Sequence, residues 1–139
     1  MLLCALCACG GGAEQKKLET AEDYLSALQE AGCPIGQITV FDAETDPNGN
    51  LGRPNQYTAK ADFIDTTAET AMCTIEIFAS KEDCDSRYEY LKQFDDPEMG
   101  AFGLNQYMYK SELAILRVGY DVTPDNAKIY EDAFAELTK

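Results

Sequence analysis

Apolar and polar side chains alternate with a period of two along Tyr57-Thr58-Ala59-Lys60-Ala61-Asp62-Phe63, and again along Cys73-Thr74-Ile75-Glu76-Ile77. A strand sends successive side chains to opposite faces, so each run can bury one face and wet the other. A parallel sheet covered on both sides needs strands that are apolar throughout. The alternation therefore predicts an antiparallel sheet covered on one side, and an α+β fold rather than a doubly wound one.

The remaining elements follow from periodicity and capping. Thr20, with Asp23 three residues on, opens a first helix whose stripe is Leu18, Ala21, Leu25 and Leu28, and Gly32-Cys33-Pro34 ends it. Ile35 to Phe41 reads as the first strand. Ser80, followed by Asp83, caps a second helix carrying Cys84, Tyr88, Leu91 and Phe94, which stops at Asp95-Asp96-Pro97. Tyr107-Met108-Tyr109 and Leu113 to Val118 form a hairpin around Lys110-Ser111-Glu112. Thr123-Pro124-Asp125 starts a final helix with stripe Ala127, Tyr130, Phe134 and Leu137. The expected order is α-β-β-β-α-β-β-α, about five antiparallel strands with about three helices on one face. Residues 18–139 make one domain.

The first two strands are separated by residues 42–56, a long connection without its own periodicity, and such loops are often functional. Asp46, Asn48 and Asn50 have the i, i+2, i+4 spacing by which a calcium loop presents oxygens, with Asp42 and Glu44 nearby. Leu51 stands where an EF-hand needs glycine and Tyr57 where it needs glutamate, so only a looser, weak Ca2+ site fits, and no other cofactor is expected. The plainer reading is a chain reversal in which Asn and Asp cap turns and Pro47 and Pro54 stiffen them. Arg53, Asn55, Gln56 and Tyr57 bring a cation, amides and a phenol together as a candidate contact patch. Alternatively Arg53 ties the loop down by pairing with Asp42, Glu44 or Asp62. Tyr107 and Tyr109 share a strand face, as a binding strip or as core beneath a helix.

With 25 acidic and 11 basic side chains the formal charge is −14, which repels phosphate backbones and anionic headgroups and excludes nucleic acid as a partner. The chain has no histidine, so the commonest general base and metal ligand are missing. No phosphate loop, serine elbow or HExxH stretch is present, and no catalytic residue is assigned.

The front of the chain carries an address. Leu6-Cys7-Ala8-Cys9 ends a run without charges and leads into Gly10-Gly11-Gly12 and a polar stretch. This resembles the lipobox of bacterial lipoproteins, which implies lipidation of Cys9, a truncated signal over residues 1–9 and a flexible tether over 10–17 reaching roughly 15–20 Å. Met1 to Ala8 lacks the basic n-region, as expected if Met1 is an internal start. No later stretch approaches the roughly 18 apolar residues of a membrane span, so attachment rests on the lipid. Of six cysteines, Cys33, Cys73 and Cys84 lie in the domain. Cys73 and Cys84 are about 20 Å apart along a strand and its following turn, beyond disulfide reach, so all three are expected as buried free thiols.

The domain also resembles small uncharacterised lipoproteins of Gram-positive anaerobes, through Asp46-Pro47-Asn48-Gly49, Leu51-Gly52-Arg53-Pro54-Asn55-Gln56-Tyr57 and Thr74-Ile75-Glu76-Ile77-Phe78. That resemblance implies a location and a shared loop, and no chemistry. The expected function is a membrane-anchored extracytoplasmic lipoprotein, a non-catalytic binding or accessory module of the cell envelope whose partner is an envelope protein or glycan. The alternatives are a small hydrolase using carboxylates alone and a calcium-dependent structural protein. An enclosed pocket with two carboxylates would favour the hydrolase, and a flat sheet face with exposed Tyr and Arg would favour binding.

Overall fold

The structure, a computed structural model, describes residues 17–139. Cys9 and the expected signal and tether as far as residue 16 lie outside the described residues. The elements follow the expected order: α1 (Ala21–Glu30), β1 (Ile35–Phe41), β2 (Ala59–Asp65), β3 (Ala68–Ile77), α2 (Lys81–Lys92), a 3-10 helix (Pro97–Phe102), β4 (Gln106–Lys110), β5 (Ala114–Gly119) and α3 (Pro124–Leu137). The strands make one antiparallel sheet in the order β1-β2-β3-β5-β4. The fold is α+β.

Helix starts are set by the caps read from sequence. Thr20 Oγ1 accepts from the Asp23 amide while the Asp23 carboxylate accepts from the Thr20 amide, a reciprocal capping box. Ser80 and Thr123 accept from the third amide of their helices, and Pro124 sits in the first turn of α3 where no intrahelical donor is needed.

The main core lies between the sheet and the pair α1 and α3. Leu25 and Leu28 of α1 and Tyr130 and Phe134 of α3 pack on Phe63, Cys73, Ile75, Leu116 and Val118. Each large apolar side chain so buried contributes roughly 1.5–3 kcal/mol. Tyr107 and Tyr109 belong to this side as core, their hydroxyls donating to the carbonyls of Val122 and Ala127.

In one respect the layering departs from the expected single covered face. α2 packs on the opposite side, where Cys84 and Leu91 meet Tyr57, Phe78 and Ile115 in a second, smaller core. The strands' polar face is therefore partly buried: Lys60, Thr74, Glu76 and Arg117 are all below a tenth exposed. The reason is chemical. α2 has only two buried apolar side chains and docks through charge as well, with Arg87 reaching Glu76.

Two ends of the sheet can be told apart. The start of the described chain, the 42–58 connection, the β4–β5 turn and the C-terminus lie at one end. The β2–β3 turn, residues 93–105 and the β5–α3 connection lie at the other.

Candidate functional site

The long loop joins two strands that are direct neighbours, Phe41 pairing with Lys60. It is organised around one carboxylate. Asp46 Oδ1 accepts from the Lys60 ammonium at 3.0 Å and from the Asn48 amide at 3.2 Å, and Oδ2 accepts from the Tyr57 hydroxyl at 2.6 Å and the Asn50 and Leu51 amides at 2.9 and 3.1 Å. Gly49 and Gly52 take positive φ values of 62° and 78°, which lets the backbone turn its amides inward. Burial alone would raise the Asp46 carboxyl, but hydrogen bonds from Tyr57, Lys60 and the Asn50 and Leu51 amides outweigh it and hold it well below the usual carboxylate range. Burial and the neighbouring Asp46 push the Tyr57 hydroxyl well above its ordinary value.

This geometry corrects the calcium expectation at Asp46, Asn48 and Asn50. The spacing does gather the three residues, yet Asn48 and Asn50 turn backbone amides, not oxygens, toward Asp46. Five donors saturate a carboxylate with about four lone-pair sites. The cation held here is the Lys60 ammonium. Among the described residues no group of three or more acidic or cysteine side chains is arranged to hold a metal ion.

The expected contact patch is divided. Tyr57 is fully buried in the α2-side core, because the chain bends at Thr58 and β2 begins only at Ala59; it does not share a face with Ala61 and Phe63. Arg53 is exposed, and its guanidinium makes no hydrogen bond or ion pair among the described residues. It is not the clamp: Asp42 accepts from Thr45 and the Glu44 amide, and Asp62 from Thr74. Asn55, exposed with φ 62°, and Gln56 stand at the rim of a cleft of about 250 Å³ whose walls are Asn50, Asn55 and Gln56 from the loop and Ser86, Arg87 and Tyr90 from α2.

Below that cleft runs a buried polar chain that sequence reasoning missed. Arg87 donates to both oxygens of Glu76, at 3.1 and 2.9 Å, and Arg117 donates to Glu76 Oε1 at 3.1 Å and to Gln106. The Arg87 guanidinium lies 5.6 Å from the ring centroids of both Tyr57 and Tyr90, so it joins the Asp46 cluster to the cleft wall. Burial would lower the Arg87 pKa, but Glu76 outweighs that and raises it. The signal lay in Ala114-Ile115-Leu116-Arg117-Val118, since a cation inside an apolar strand needs a buried anion.

A larger groove of about 1090 Å³ lies between α1, α3 and the β4–β5 turn. Both ends of the described chain, Lys17 and Lys139, are in its walls, and its acids are scattered over Glu30, Glu112 and Glu136 without convergence. The smaller cleft differs in bringing facing amides, a hydroxyl and a phenol together. No protein-family model, curated protein or solved structure matches the chain.

Proposed function

We propose that this chain is a non-catalytic binding module of the bacterial cell envelope, held at the extracytoplasmic face of a membrane through a lipid on Cys9, and that its loop–α2 cleft takes a neutral, hydroxyl-rich ligand such as a sugar unit of an envelope glycan. The observation that carries the reading is the neutrality of the cleft in a chain of formal charge −14. Its one charged wall residue, Arg87, is already matched by Glu76. What remains are three amides and a hydroxyl, each able to donate and accept, beside a Tyr90 ring that is 51% exposed. Hydroxyls and apolar ring faces of a sugar suit that mixture. Support for a non-catalytic role comes from the two buried carboxylates on this side: Asp46 and Glu76 are each ion-paired within the fold, and neither lines the cleft.

The test has two parts. Full-length protein with its upstream leader, expressed in a bacterium, incorporates labelled fatty acid and pellets with membranes, and Cys9→Ala abolishes both; an unmodified Cys9 in membrane-free protein would refute the anchor. Purified protein is retained on insoluble cell-wall polysaccharide, and Asn55→Ala with Tyr90→Ala weakens retention about tenfold, the loss of roughly 1.4 kcal/mol. Equal retention by that double variant, at unchanged melting temperature, rejects the cleft as the site.

A further inference from the structure

A second surface lies at the other end of the sheet, away from the start of the described chain. Here the ladder between β3 and β5, which runs from Ile77 with Ala114 to Thr74 with Arg117, reaches its end while the two strands stay close. Gln106 reaches across and donates to the Met72 carbonyl at 2.8 Å. Gly119 forms the floor, so close to β3 that a Cβ there would meet the Met72 carbonyl oxygen at 3.1 Å. Beside it lies a cleft of about 360 Å³ lined by Thr70, Met72, Leu104, Gln106, Tyr120 and Asp121.

Its lining is mixed, more polar than apolar, and two of its apolar side chains are open to solvent. Met72 is 66% exposed and Tyr120 49%, and Phe102 on the neighbouring 3-10 helix is 87% exposed. Acids stand on both sides of the Tyr120 ring: its hydroxyl donates to Asp95 Oδ1 at 3.1 Å, and Asp121 follows it in the chain, accepting from Thr70 through Oδ2 alone. Asp95 Oδ2 and Asp121 Oδ1 have no partner among the described residues, and no Lys or Arg pairs with Glu69, Asp95, Asp96, Glu98 or Asp121 there.

We propose that this cleft is a docking site for a basic protein segment, taking the side chain of a Lys or Arg with its aliphatic stem along Met72, Leu104 and Tyr120 and its cation at Asp121, with Asp95 adding negative charge beyond the Tyr120 hydroxyl. Long basic side chains are apolar along the stem and charged at the tip, which is the order of surfaces the cleft presents. Exposed apolar patches rimmed by polar groups mark interaction sites, and unpaired rim acids steer a basic partner. Charge also argues against the other occupants, because a second copy of a −14 chain and an anionic lipid surface are both repelled. The site shares no wall residue with the loop–α2 cleft, so the two readings stand or fall separately.

The probe is a fluorescent peptide of alternating Leu and Lys, titrated into the full chain in detergent at 150 mM salt, with a norleucine-for-Lys peptide as the neutral comparison. Anisotropy is expected to show binding of the Lys peptide at least about tenfold tighter than the neutral one, with Met72→Ala and Asp121→Asn each weakening it about tenfold. Glu131→Gln, which removes the same charge from the exposed face of α3, is expected to change it by less than about twofold. Equal weakening by Glu131→Gln and Asp121→Asn would reduce the effect to general attraction and overturn the site. So would concentration-dependent dimerisation abolished by Met72→Ala, which would assign the patch to a second copy.

Discussion

The ammonium of Lys60 lies 3.0 Å from the carboxylate of Asp46, and both side chains are buried, at 5% and 0% exposure. One residue comes from the middle of the loop and the other from β2, so this pair fastens the loop to the sheet. Lys60→Ala leaves Asp46 buried without its counter-ion and is expected to cost about 3–5 kcal/mol in urea denaturation. Arg53→Ala, by contrast, removes an exposed side chain and is expected within about 0.5 kcal/mol. A large loss at Arg53 would mean that the loop is held differently.

The same carboxylate fixes an acid limb. Because the Asp46 pKa is depressed on folding, its contribution is fully present above the unfolded value of about 3.9 and is lost as pH falls below it toward the folded value. Denaturation midpoints between pH 7 and pH 2.5 should therefore decline below about pH 4, and Asp46→Asn, though less stable at pH 7, should decline less steeply. Parallel curves for the two proteins would remove Asp46 as the source.

The three domain thiols are free and buried, and burial pushes each of them up to about 11. Iodoacetamide at pH 8 should leave the peptides containing Cys33, Cys73 and Cys84 unlabelled in the folded protein and label all three in urea. Because burial disfavours the thiolates, these groups leave stability unchanged below the unfolded thiol pKa of about 8.5 and lower it as pH rises from there toward 11. Cys73→Ala should cost no more than about 1.5 kcal/mol, one small apolar side chain replacing another.

α2 should behave as a separately anchored element. Glu76 is fully buried and receives both Arg87 of α2 and Arg117 of β5. Glu76→Gln leaves two guanidinium groups facing a neutral amide and should destabilise by about 3–5 kcal/mol. Hydrogen exchange should show α2 losing protection before α1 and α3, whose attachment is through the larger apolar core. Uniform loss over all three helices would contradict this division.

Sequence alone determined the elements, their order and most of their ends. Thr20, Ser80 and Thr123 cap helices through contacts three residues away, and the period of two in β2 and β3 specifies which residues share a face; these are local relationships that the chain carries with it. That Cys73 and Cys84 do not pair with each other was legible for the same reason, since strand length sets how far apart they lie. Periodicity does not say what covers a face. Glu76 and Lys60 read as solvent-facing until α2 and the loop close over them, and Arg87, Arg117 and Asp46 come from segments 11 to 41 residues away in the hydrogen bonds that satisfy them. Only the tertiary structure could turn an apparent calcium spacing into a carboxylate neutralised by lysine, withdraw Tyr57 from the surface, and bring Ser86, Arg87 and Tyr90 opposite Asn50, Asn55 and Gln56. Those pairings depend on long-range burial of charge, whose partners are chosen in space and leave no mark in local spacing.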